Sequence, residues 1–222
     1  MASAMAGAGQ YNLKIPRISV IDALAASLRE RVLSGDLLPG RPLPEAELAA
    51  QYGVARPTIR AAIQQLTLTG LLVREANRSA YVPSLTPDQV RDLFAVRTLI
   101  EIEAIRTVAN NRLPIHDAEQ AVARLGMFPP DAKWSDAVAS DLEFHRAIVT
   151  ATGSSRLLRL FSLLEDEIRL SIAQLRPAYE SHKSLYEEHR ELLAVIQSGD
   201  GDKAAHLLRQ HLQQAINDLS KK

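Results

Sequence analysis

Six histidines and no cysteine set the terms for metal chemistry in this 222-residue chain: any ligands must come from His, Asp or Glu. Asp141 and His145 stand four residues apart, so on a helix both project from one face. His189 and His211 fall on or near the apolar stripes of two later helical segments. Inward-facing side chains from several helices are how a bundle builds an ion site. A lone helical histidine is more often a surface or satisfied core residue, and His116, His182 and His206 are read that way. A second chemistry is suggested by Arg56 and Arg60, again four apart, near the start of a short helix that also carries Thr58. Guanidinium groups there suit guanine O6 and N7, or phosphates drawn to the helix N-terminus. By spacing alone, a pair of solvated surface charges is the favoured reading of these two arginines.

The elements that position these groups follow from periodicity. Apolar residues at Ile21, Leu24, Leu28 and Val32 mark a first helix over Val20 to Ser34, broken by Gly35, Pro39 and Gly40. A second helix begins at Pro44-Glu45 and ends at Gly53, and a third, with Ile59, Ile63 and Leu66 on one face, spans Arg56 to Leu68. Leu71 to Arg74 and Ala80 to Val82 are β-prone runs around the polar tip Asn77-Arg78-Ser79, a predicted hairpin. Three helices and a hairpin, the second and third helices joined by a four-residue turn, form a helix-turn-helix with a wing. Arg78 at the wing tip suits a minor groove or a phosphate, and equally a free surface position.

After the linker Pro83-Ser84, Thr86-Pro87-Asp88-Gln89 combines a capping residue, a first-position proline and Gln three beyond the cap. From there helices are expected at 87–110, 116–125, 134–151, 155–175, 182–198 and 201–219, with Gly153 and Gly199 as stops. The predicted fold class is mostly α: an N-terminal winged helix-turn-helix over 16–83 and a C-terminal antiparallel helical bundle over 86–222, preceded by a flexible arm at 1–15.

Composition agrees. Hydrophobic residues are 46 % and charged residues 23 %, ordinary for a globular chain, and aromatics are only 5 %. Net charge is zero, yet residues 1–85 hold nine basic and six acidic side chains, leaving 17 and 20 for the rest. A basic first half fits nucleic acid, an acidic second half does not. No apolar run approaches a membrane span, no signal peptide is recognisable, and the absence of cysteine suits a reducing compartment; a cytoplasmic protein with no membrane partner is expected.

The run Leu28-x-x-x-Val32-x-x-Gly35-x-Leu37-x-Pro39-Gly40-x-x-Leu43-Pro44-Glu45-x-Glu47-Leu48-Ala49, followed by Tyr52-Gly53-Val54-Ala55-Arg56-Pro57-Thr58-Ile59-Arg60 and by Gly70-Leu71-Leu72 and Asn77-Arg78, resembles the GntR family of regulators. The resemblance implies double-stranded DNA as a partner, with the third helix in the major groove of a palindromic operator and Arg56, Thr58, Arg60 and Arg78 as contacts. The sequence departs from the family pattern at Ala46, often basic, at Ala61, often Glu, and at Ser79, often Gly. One phosphate contact and the tightness of the wing are affected.

Arg97-x-x-x-Glu101, Asp141-x-x-Phe144-His145-x-x-Ile148, His189-x-x-Leu192-x-x-x-Ile196-x-x-Gly199-Asp200 and His211-Leu212 resemble the FCD effector domain of the FadR subfamily, in a compact, VanR-like form. That resemblance implies a divalent metal of the Zn, Ni or Mn type on Asp141, His145, His189 and His211, and a homodimer. It places Arg97 facing the cavity, where with Glu101 it would meet a small carboxylate effector; an internal Arg97–Glu101 ion pair is the compatible alternative. The expected protein is a ligand-responsive regulator, a repressor modulated by an organic acid, and not an enzyme. Two other readings remain: a metal-dependent hydrolase built on the same Asp/His cluster, against which stands the lack of any HExxH or nucleophile motif, and a ligand-free dimeric DNA-binding protein.

Overall fold

The computed structural model describes residues 19–129, 131–132, 134–175 and 182–219. The expected arm at 1–15 lies outside them. Helix α1 (Val20–Leu33) starts where the Ser19 hydroxyl accepts the Asp22 amide, and it buries Leu24, Leu28 and Val32. Helix α2 (Glu45–Tyr52) ends at Gly53, which takes φ 65°, a left-handed conformation that costs glycine nothing and turns the chain into α3 (Arg56–Leu68). The α3 face Ile59, Ala62, Ile63 and Leu66 packs with Leu28, Leu71 and Val82 in one apolar core.

The wing differs from the hairpin expected. Strand β2 (Ala80–Tyr81) has its ladder with β1 (Pro42–Leu43), a segment before α2, while Val73 reaches Tyr81 through a single bridge. Tyr81 therefore sits between two partners. Two-residue strands carry no alternation for a sequence reading to detect. At the tip, Asn77 adopts φ 60°, in the left-handed region that asparagine tolerates better than most residues.

Helix α4 (Pro87–Asn110) opens with a complete Thr86/Gln89 capping box. It runs through the middle of the second half, against α6 (Trp134–Ala151), α7 (Ser155–Leu175), α8 (His182–Ser198) and α9 (Gly201–Leu219), with α5 (His116–Leu125) packed on α6 and α8. Phe94, Ile105, Phe144, Phe161, Leu192 and Leu212 belong to the core so enclosed. Among the described residues no helix is long and apolar enough to cross a membrane.

The two cores meet along α7. Ile168 is buried in the bundle core, but Leu170, two residues on, is buried in the core of the winged half. Both carboxylate oxygens of Asp166 accept from Arg29 Nε, at 2.9 and 3.0 Å. Gln174 accepts the Leu85 amide at 3.0 Å and donates to the Pro83 carbonyl at 2.6 Å, clamping the linker to the same helix.

Candidate metal centre and nucleic-acid interface

Helices α6, α8 and α9 bring Asp141, His145, His189 and His211 together with one donor atom of each within 4.8 Å of the others, all four buried. The His189 Nε2 lies 3.0 Å from an Asp141 oxygen and 3.4 Å from His145 Nε2, and His145 Nε2 lies 3.8 Å from the same carboxylate oxygen. The opposite ring nitrogens are tied back. His145 Nδ1 faces Glu101 Oε2 at 2.6 Å, His189 Nδ1 faces the Leu185 carbonyl at 2.8 Å, and His211 Nδ1 faces Glu188 Oε2 at 2.9 Å. A ring whose Nδ1 donates outward is held so that its Nε2, once deprotonated, can face a metal, while in the protonated ring of His145 or His189 the same Nε2 donates to Asp141. Phe144 packs edge-on against both His145 and His189, fixing their planes from the apolar side.

The electrostatics of the cluster are strongly perturbed. Burial would raise the Asp141 carboxyl, but hydrogen bonds from His145 and His189 and their charge hold it well below the usual range. Burial likewise opposes ionisation of Glu101, and the charges of Arg97 and His145 overcome it, lowering Glu101 to about 2. Burial lowers His145, yet Glu101 beside it wins and the pKa rises; His211, with burial dominant, falls to about 4. A buried ionic group of this size contributes little to stability compared with an apolar replacement. Such clusters concentrate at functional sites.

Arg97, from α4, is 2 % exposed and donates through Nε to Glu101 Oε1 at 2.5 Å. Both oxygens of Glu101 are thus engaged, one by Arg97 and one by His145. The other end of Arg97 is different: its Nη2 is buried and has no hydrogen-bond partner among the described residues. Unpartnered buried guanidinium nitrogen is costly and asks for an acceptor. Glu188 was absent from the sequence reading. The signal for it was available: Glu188 and His211 are equidistant from the Gly199-Asp200 turn, so in an antiparallel helix pair they stand at one level. His116 and His206 are exposed as expected, and the side chain of His182 lies outside the described residues.

In the winged half Arg56 and Arg60 are exposed on α3, Thr58 is half-buried between them, and Arg78 is exposed at the wing tip, paired with Glu75. Arg60 and Arg74 both pair with Glu45. Hydrogen bonding to Arg60 keeps the Glu45 carboxyl below its ordinary value, so it stays ionised.

Residues 21–82 match the model of bacterial regulatory proteins of the gntR family, and residues 92–214 match the FCD domain. This chain belongs to the gntR family and carries an FCD domain. It is 28 % identical over 217 residues to the HTH-type transcriptional regulator BphR of Paraburkholderia xenovorans, covering 90 % of this chain and 84 % of that one. It is 28 % identical over 220 residues to the gluconate operon transcriptional repressor of Bacillus licheniformis, covering 92 % and 88 %. The fold is shared with a GntR transcriptional regulator of Rhodococcus sp. RHA1, at TM-score 0.76 and 23 % identity over 90 % of this chain and 96 % of that one. It is shared also with E. coli McbR/YncC, at TM-score 0.70 and 21 % identity over 91 % and 98 %. The protein is a DNA-binding transcription regulator.

Proposed function

We propose that this regulator is a homodimeric repressor whose DNA affinity responds to a small carboxylate bound beside a divalent metal. The observation that carries the reading is the pairing of an inward-facing Asp/His₃ donor set with the unpartnered Nη2 of Arg97, linked through Glu101. The donors fit a Zn, Ni or Mn type ion, which when bound would supply positive charge and open positions for an effector oxygen. Asp141, His145, His189 and His211 hold the ion. Arg97 takes the effector's carboxylate on its free nitrogen while its Nε keeps Glu101, and hence His145, in place. The Bacillus relative is named for a gluconate operon, and gluconate is a carboxylate.

For output, α7 supplies a continuous helix from the effector bundle into the winged core, through Ile168 on one side and Leu170 on the other. An effector that favours one arrangement of this helix changes DNA affinity by its difference in affinity for the two arrangements. Val96 and Leu99 on α4 and Leu160 and Leu163 on α7, a helix packed against α4, are exposed apolar side chains available to a second copy. A two-fold dimer sets two α3 helices about one DNA turn apart, matching a palindromic operator contacted by Arg56, Thr58, Arg60 and Arg78.

Elemental analysis of the purified chain beside His189→Ala tests the metal. About one divalent ion per chain, lost in the variant, is the expected result. A wild-type chain that retains none after equilibration with Zn, Ni and Mn at neutral pH overturns the reading.

A further inference from the structure

Glu45 is the first residue of α2, and its carboxylate joins three parts of the DNA-facing surface. Arg60, from α3, donates to it through Nε at 3.0 and 3.1 Å and through Nη2 at 2.8 Å. Arg74, from the start of the wing, brings Nη1 to 3.1 Å of Oε1. The arginine side chains remain 58 % and 42 % exposed, whereas Glu45 is 16 % exposed. Pairs this open to solvent add little to folding stability, so stability does not explain the arrangement.

The edges used by Arg60 are informative. A guanidinium offers two hydrogen-bonding forks, a side fork of Nε and Nη2 and an end fork of Nη1 and Nη2. Glu45 occupies the side fork. What is left facing away from Glu45 is the end fork, the one that can span O6 and N7 of guanine in the major groove. Holding the side chain by its stem edge also removes rotamer freedom before DNA arrives, so less ordering remains to be done on binding. The cost of a carboxylate close to a polyanion is offset by Arg74, since two guanidinium groups against one carboxylate leave the cluster positive.

We infer that Glu45 is a specificity-positioning residue: it aims the end fork of Arg60 at a guanine in each half-site, with Arg74 masking its charge from the phosphates. This inference rests on the reading that α3 enters the major groove. It concerns base preference, not binding as such.

The test uses the full-length chain. A random duplex library is first enriched on the wild type to define a preferred site. Affinities of wild type, Glu45→Gln, Arg60→Lys and the double variant are then measured for that site, for the site with each guanine replaced in turn, and for a scrambled duplex, at two salt concentrations. One bidentate guanine contact discriminates by roughly 5- to 150-fold. Glu45→Gln is expected to lose about tenfold of the preference for one guanine per half-site, with binding to scrambled duplex unchanged or tighter. Arg60→Lys, which keeps the charge but has no fork, should lose preference at the same guanine, and the double variant should lose no more than Arg60→Lys alone. Thermal melting of each variant separates these effects from misfolding. Equal tightening of Glu45→Gln on every duplex, with base preference intact, would overturn the inference and leave Glu45 as a simple repulsive charge. Loss of preference at a different base from Arg60→Lys would overturn it too, by making Glu45 itself the reader. A wild type that enriches no site removes the major-groove reading and this inference with it.

Discussion

Leu170→Ala on α7 should loosen the DNA-binding half of the molecule rather than the helical bundle that contains α7. Leu170 is 1 % exposed and belongs to the apolar core of α1, α3 and the wing. Truncating a buried leucine costs about 2–5 kcal/mol, the spread reflecting how far the surroundings collapse into the space. Here Leu170 borders a solvent-open cleft of about 410 Å³ at the domain joint, lined also by Val32, Leu37, Val82 and Leu85. Space already open on one side places the expected loss at the low end, about 2–3 kcal/mol. If the winged half opens as its own unit, that loss raises its open population about 30- to 150-fold. Amide hydrogen exchange read by peptide should therefore quicken by that factor in the buried turns of α1 and α3, with α4, α6 and α9 almost unaffected. The control lies on the same helix. Ile168, fully buried in the bundle core, should give the reverse pattern when changed to Val or Ala. Unchanged exchange in α1 and α3 of Leu170→Ala would refute the assignment of this side chain to the winged core. Equal acceleration in both halves would refute the two-unit argument and make the chain a single cooperative body.

Two further outcomes are expected. Glu101→Gln leaves all four metal donors in place but removes the carboxylate behind His145, and metal affinity by competition titration should fall roughly 10- to 100-fold; unaltered affinity would show that His145 needs no orienting partner. In the metal-free protein, acid should destabilise in two stages. His211 stays neutral in the folded state down to about 4, whereas its unfolded counterpart takes a proton near 6.5, so the unfolded state binds more protons between those values and stability falls as pH drops through that window, by on the order of 3 kcal/mol. Glu101, lowered to about 2, contributes stability that is present above the ordinary carboxylate range and lost as pH falls towards 2. His145 acts with the opposite sign, its stabilisation being lost as pH rises above its elevated pKa. Urea midpoints of wild type and His211→Gln measured in chelator from pH 8 to pH 3 check the balance, and a wild type that loses no more stability than the variant between pH 6.5 and pH 4 would mean that His211 is charged when folded.

Much of the architecture was legible because helices write their own limits into the chain. Thr86, Pro87 and Gln89 specify a cap whatever lies around them, and Gly53 permits a left-handed turn that few other residues would accept. The i, i+4 spacing of Asp141 and His145 is likewise local, since one turn of helix places them on one face without help from the rest of the protein. The wing was legible only in part, because β1 pairs across the whole of α2 and α3 with β2, and a two-residue strand has no periodicity of its own.

What the sequence by itself determined is the set of helices, their capped ends, the arginines that open α3 and the pool of side chains able to bind a metal. Each is a matter of interactions within a turn or two of chain. Only tertiary structure decided that Glu45 grips Arg60 and Arg74 together, that Arg97 keeps one buried nitrogen unpartnered among the described residues, and that Leu170 belongs to the opposite core from Ile168. Those facts depend on the angle and depth at which helices pack. Packing is fixed by the sum of many small contacts between residues far apart in sequence, which no local pattern encodes.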